Sequence, residues 1–206
     1  MNLYAEDYNK ADPFPHLVFM MDISELYDGF PDMTKARKFK TGNEAKSITD
    51  GSISHPLIDY LNSKDTIQML EDITGIKGLQ PDHNLIGGGF HETKRGGYLG
   101  IHTDFNIHRK TKLYRRVNLL IFLNEEWEDE WGGHLELWSK DGKECVAKIA
   151  PTFGTAVIFN TTKDSWHGHP TPLNTTERIT RKSIAMYYYH KEPGAQITEP
   201  KNKISL

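Results

Sequence analysis

Cysteine is almost missing: Cys145 is the one thiol in 206 residues. A single thiol makes no internal disulfide, which excludes a disulfide-stapled fold and predicts a reducing compartment. Its neighbours Lys143-Glu144 and Val146-Ala147 read as ordinary strand or hairpin, without the histidine a nucleophilic cysteine needs. Long apolar runs are missing too, and none reaches the length of a membrane span. The first residues lack a basic segment followed by an apolar one, so no signal peptide and a cytoplasmic location are expected. A formal net charge of -3 leaves no overall basic field, so no nucleic-acid partner is expected. The triple glycine Gly87–Gly89 is followed by neither a Lys-Ser/Thr pair nor a helical pattern, which excludes a phosphate-cradling loop. Glycines in a strand mark a bulge or a close approach by another backbone or ligand.

What is present divides by periodicity. Residues 1–80 read as a helical, supporting part. Residues 1–15 are polar with two prolines and are expected to be an extended arm, followed by an edge strand at His16–Met20. Asp22 or Ser24 caps an expected short helix over Ile23–Phe30, which Pro31 stops. Residues 31–51 show little periodicity and read as a loop. Ser54 and Pro56 open a helix whose apolar face is Leu57, Ile58 and Leu61. Another begins at Ser63 or Asp65, carries Ile67, Leu70, Ile73 and Thr74 at helical spacing, and ends at Gly75.

After Pro81 short strands take over. Arg116–Asn124 is a nearly continuous apolar run, as in a strand buried on both faces. Asp141-Gly142 is a hairpin signal. Lys182–Tyr189 is a last strand rich in aromatics, which favour strands. Helices first and seven or eight strands afterwards predict one mainly-β domain. Its expected core is a jelly roll over residues 81–190, ahead of a tail at 191–206.

The chemistry concentrates at Gly97–Asn106. Residues two apart in a strand share a face, so His102 and Asp104 converge on one point. An imidazole and a carboxylate converging suit a divalent metal, and a second histidine would complete a two-histidine, one-carboxylate site for non-haem Fe(II). Ser165-Trp166-His167-Gly168-His169-Pro170 follows a strand end and offers two candidates, His167 and His169. Downstream lie Arg178 and Arg181, either of which is a ready carboxylate anchor if it points inward. Arg109, Lys110, Lys112, Arg115 and Arg116 read as a solvated basic loop.

Six blocks in order carry a resemblance: GGYLGIHTDFN, RRVNLLIFLNEEW, WGGHLELW, GTAVIFN, SWHGHP and RKSIAMYYYH. Together they resemble the Fe(II)/2-oxoglutarate-dependent dioxygenases of the prolyl 4-hydroxylase-like family, and the early PFPHLVF resembles segments of that group. The resemblance implies a double-stranded β-helix and a hydroxylase that takes Fe(II), 2-oxoglutarate and O2, with ascorbate in a supporting role. His102, Asp104 and His167 become the metal ligands, His167 because His-Gly-x-Pro matches the family's distal motif. Arg181 with Ser183 matches the family's Arg-x-Ser, making Arg181 the 2-oxoglutarate anchor and leaving His169 on the substrate side.

A tyrosine that often helps bind the cosubstrate falls at Phe122 here, so its hydroxyl has to be replaced, by Tyr98, Asn118 or Ser183. With Asp104 in the ligand position that related halogenases leave open, hydroxylation is implied. A prolyl residue in a peptide or protein is the implied substrate. A free amino acid, sugar or other small metabolite is the alternative. A non-catalytic jelly-roll binding module and a zinc hydrolase are rivals from other classes.

Overall fold

The computed structural model describes residues 3–38, 46–49 and 51–192. In chain order the first half holds α1 (Leu3–Lys10), β1 (His16–Met20), β2 (Arg37–Lys38), β3 (Lys46–Ile48), α2 (Pro56–Leu61) and α3 (Lys64–Thr74). Then come β4 (Gln80–Pro81), β5 (Gly89–Thr93), β6 (Leu99–His102), β7 (Tyr114–Phe122), β8 (Leu135–Trp138) and β9 (Cys145–Ile149). The chain closes with β10 (Thr155–Asn160), β11 (His167–His169) and β12 (Arg181–His190).

The larger sheet runs β1-β10-β7-β12-β5-β3-β2, with β4 also on β12; the smaller runs β6-β11-β8-β9. From β5 onward the chain passes back and forth between the two sheets, and every strand pair is antiparallel. That winding is the jelly roll.

Strand parity divides the larger sheet into two environments. On its outer face Leu119 and Ile121 of β7, Ile158 of β10, and Ile184 and Met186 of β12 pack against Leu57, Leu61, Leu70 and Ile73 of the helices. Truncating one of these to alanine costs about 2–5 kcal/mol. On the inner face Phe122, Val157 and Phe159 meet Leu135, Leu137 and Ile149 of the smaller sheet, closing one end of the roll. The same inner face also carries polar residues, Asn118 of β7 and Arg181 and Ser183 of β12, which line a cavity.

Three local expectations need correction. Residues 3–10 are helical rather than extended: Glu6 and Lys10 pair one turn apart, and buried Tyr8 donates its hydroxyl to Asn160 Oδ1 at 2.7 Å. The prolines at 13 and 15 lie beyond the helix rather than extending all of 1–15. Conversely, 23–30 is not a helix. Asp22 does accept from Ser24 N–H (3.1 Å), but only Leu26 and Tyr27 bond back to Ile23 O before Gly29 turns to φ +120. Part of the expected loop at 31–51 is a strand pair, β2 on β3, which extends the larger sheet beyond β5. Residues 31–36, 49 and 51 are outside any strand or helix, as expected; 39–45 and 50, and residues 193–206 of the expected tail at 191–206, lie outside the described residues. Among the described residues no helix is long and apolar enough to cross a membrane.

Candidate active site

His102 ends β6 and His167 opens β11, and the two are direct cross-strand partners. Their rings stand 4.6 Å apart between centroids. The close pairing depends on Gly168, where a Cβ would come within 2.7 Å of Leu99 O and 2.9 Å of Gly100 O. Asp104, two residues past the end of β6, turns into the same space. His102 Nε2 lies 3.7 Å from its Oδ1, and His167 Nε2 lies 3.4 Å from its Oδ2. The ligand atoms of all three residues fall within 4.8 Å of one another.

Tautomers follow from what each other ring nitrogen faces. His102 Nδ1 meets Gly100 O and His167 Nδ1 meets Ser165 O, both at 2.9 Å. A carbonyl only accepts, so both Nδ1 atoms carry the proton and both Nε2 lone pairs face Asp104. Two neutral imidazoles and a carboxylate fit an Fe(II) ion with positions left over. Burial also pushes His167 down to about 4, which keeps it a ligand at neutral pH.

That shift has a sign that can be checked in the metal-free protein. Between the unfolded value of about 6.5 and the folded one, the unfolded chain takes up a proton that folded His167 refuses. Stability present above about pH 6.5 is therefore lost toward about pH 4, by up to about 3 kcal/mol. Denaturant unfolding of wild type and His167→Gln across this window measures it. Wild type is expected to lose more, and parallel pH profiles would contradict the assignment.

The carboxylate of Asp104 is held from behind. Its Oδ2 accepts from Arg115 Nη2 at 2.9 Å and Asn118 Nδ2 at 2.7 Å. Burial pushes this carboxyl up, but Arg115 together with His167 and His102 outweighs it and holds the group well below the usual carboxylate range. Arg115 is 1% exposed, stacked 3.3 Å above the Tyr187 ring, with the Phe105 ring 4.8 Å from its guanidinium carbon. Its placement in a solvated basic loop is thus corrected; Arg109, Lys110 and Lys112 are the exposed members.

The cause is a bulge in β7. Tyr188 pairs Val117 but Tyr189 pairs Arg115, skipping Arg116. Arg115 and Asn118 therefore share a face that strict alternation would deny them. No period-two reading of 114–122 finds this, and the only signal in the sequence is an arginine at a strand's start.

The remaining candidates fall as follows. Arg181, on the inner face of β12, donates from Nε to Gly133 O at 2.6 Å and lies over Phe122. Among the described residues no carboxylate pairs with it, and burial alone pushes it down to about 9. Such a cation calls for an anion from outside. Ser183 lines the same cavity, opposite His91 of β5 and Phe122 of β7. Asn118 also lines it, but its amide is occupied by Asp104 on one side and by Arg115 and Thr161 on the other. Tyr98 lies outside the cavity wall. His169 is buried, lines the cavity and stands outside the three-residue cluster, separated from His167 by an irregularity in register. Arg178 is exposed and lines a separate cleft. The cavity itself measures about 200 Å3.

A jelly roll with two histidines and a carboxylate at its open end defines a class: a metal-dependent protein of the double-stranded β-helix type. Residues 88–189 match the model of the 2OG-Fe(II) oxygenase superfamily, and that stretch, which holds every residue of the cluster and Arg181, is a 2OG-Fe(II) oxygenase domain. Solved structures share the fold at low identity. A prolyl-4-hydroxylase of Pseudomonas putida is 17% identical, with TM-score 0.53, covering 77% of this chain and 79% of that one. The viral collagen prolyl hydroxylase of Paramecium Bursaria Chlorella virus-1 is 18% identical, with TM-score 0.51 and coverages of 70% and 79%. HygX of Streptomyces hygroscopicus, solved with nickel, 2-oxoglutarate and hygromycin B, is 14% identical, with TM-score 0.55 and coverages of 84% and 82%. A comparison with curated proteins gives no match.

Proposed function

We propose that this 2OG-Fe(II) oxygenase hydroxylates a prolyl residue in a peptide or protein. The observation that carries the oxidative part is one cavity holding both the His102–Asp104–His167 cluster and the Arg181 cation, which pairs with no carboxylate among the described residues. Fe(II) with 2-oxoglutarate and O2 supplies, when bound, the oxidation that turns a C–H bond into C–OH, releasing succinate and CO2. His102, Asp104 and His167 hold the metal through Nε2, a carboxylate oxygen and Nε2. Arg115 and Asn118 fix the carboxylate so that it does not swing as its surroundings change. Arg181 receives the far carboxylate of 2-oxoglutarate, and Phe122 beneath it keeps water from that ion pair. Ser183 is an inward hydroxyl two residues along β12 from Arg181 and directly across from Phe122, and it is the one we assign to the role left open at Phe122.

One feature supports the peptide. The cavity shares Ile48 and Gly87 with a cleft of about 250 Å3, and His169 with another of about 580 Å3, room that an extended chain uses. The modest cavity volume favours the second reading, a free amino acid, sugar or other small metabolite. Incubation with a panel of proline-containing peptides and small metabolites tests the choice. The expected result is one added oxygen on a peptide prolyl; addition only to small metabolites would replace the first reading with the second.

The two histidines of β11 should separate cleanly. His167→Ala is expected to lose Mn(II) binding. His169→Ala is expected to keep it and lower turnover of the substrate. Calorimetric titration of Mn(II) into both variants checks this, and the opposite pattern would move the ligand by two residues.

A further inference from the structure

Away from the metal cluster lies a second buried polar pair, Asp82 and His108, at 4% and 1% exposure. His108 Nε2 stands 3.2 Å from Asp82 Oδ1. Its Nδ1 accepts from Thr111 N–H at 3.0 Å, so the ring proton sits on Nε2 and is donated to Asp82. A neutral histidine makes both bonds. Asp82 also accepts Asn84 N–H on Oδ1 at 2.9 Å and Ile86 N–H on Oδ2 at 2.7 Å. One carboxylate thus binds three N–H groups from two different loops.

Each loop forms a wall of the cavity. Residues 82–88 carry Leu85 at φ +47, a conformation a leucine adopts only under constraint. They present Gly87, whose carbonyl accepts the Tyr187 hydroxyl at 2.8 Å. The other loop leaves Asp104, passes Phe105 and returns at Arg115, with Arg115 N–H bonded to Asn106 O and His108 N–H to Leu113 O. His108 also stands edge-on to Tyr189, the cross-strand partner of Arg115. Arg115 contacts both the Phe105 and Tyr187 rings, which meet edge-on, and Gly87 packs against the same two rings.

We propose that Asp82 and His108 are positioning residues, a latch between loops 82–88 and 105–113 that keeps Phe105 closed over Arg115. Through Arg115 the latch holds Asp104 in its ligand geometry. This rests on the metal-site reading above. If the latch opens, water reaches the Arg115–Asp104 pair, the pair weakens, and the carboxylate loses its fixed aim. A tie that served stability alone would leave metal affinity untouched.

The test measures Mn(II) affinity and thermal unfolding together. Asp82→Asn places an NH2 group against an N–H whichever way it turns, and His108→Leu removes the donor. Both are expected to weaken Mn(II) binding about tenfold, the low end for loss of an outer partner of a metal site. His108→Gln brings an amide N–H toward the place of Nε2–H and should restore affinity to within about threefold of wild type. Variants that melt earlier yet bind Mn(II) as wild type does would overturn the proposal.

Wild type gives a second readout that needs no variant. Coupling is reciprocal, so Mn(II) should slow hydrogen exchange at the Asn84 and Ile86 amides held by Asp82. Unchanged exchange there would also overturn it. Wild type that binds no Mn(II) at all would instead defeat the metal-site reading, a result distinct from the two above.

Discussion

Arg181→Ala is expected to raise the KM for 2-oxoglutarate about thirtyfold or more, the equivalent of about 2 kcal/mol. The basis is a buried guanidinium with Nε fixed by Gly133 O and no protein carboxylate paired with it among the described residues. Burial has pushed it down to about 9, so an incoming carboxylate gains the interaction the protein itself withholds. Losing one partner of a buried, bidentate charge pair costs roughly 2–5 kcal/mol. Mn(II) affinity without 2-oxoglutarate should stay close to wild type, because Arg181 is absent from the metal cluster. Arg178→Ala, on an exposed side chain beside a different cleft, should change little. Titrating 2-oxoglutarate against both variants decides. Loss in Arg178→Ala alone would mean that the inward face of β12 has been misassigned.

Asp104→Ala should have two separable effects. Mn(II) affinity is expected to fall by more than about hundredfold, above the 10–100-fold typical for removing an outer partner. Stability should fall as well, by about 3–5 kcal/mol, because Arg115 is left as a buried, uncompensated cation. A strand-end position by itself would suggest a harmless truncation. The pair with Arg115 is what changes the expectation. The double variant Asp104→Ala/Arg115→Met should regain much of the stability without regaining the metal. Denaturant unfolding and Mn(II) titration of the single and double variants check both halves. A double variant no more stable than Asp104→Ala would show that the buried charge was not the cause.

The contrast between those two residues also shows what strand periodicity reveals. Arg181, Ser183 and Tyr187 of β12 line the cavity while Ile184, Met186 and Tyr188 face the helices, the alternation a regular strand imposes. His102 and Asp104 are two apart at a strand end, and the structure brings them to one point with His167. Arg115 could not be placed this way, because skipping Arg116 in the ladder reverses parity at one residue. The Asp82–His108 contact was equally hidden. It joins residues 26 apart through side chains, and neither residue sits in a motif or a periodic element. At the N-terminus, local polarity pointed to an arm where Tyr8, docked on Asn160 across 152 residues, stabilises a helix. Long-range contacts override weak local preference there.

The most direct measurement of the central claim is succinate formed from 2-oxoglutarate by the purified protein supplied with Fe(II) and O2, with no substrate added. Slow, uncoupled turnover is expected in wild type, absent in Asp104→Ala and recovered only at high 2-oxoglutarate in Arg181→Ala. After chelation, activity should return with Fe(II) and not with Zn(II). A wild-type protein that binds Mn(II) and 2-oxoglutarate yet forms no succinate with Fe(II), alone or with peptide, would contradict an oxygenase and leave a binding module.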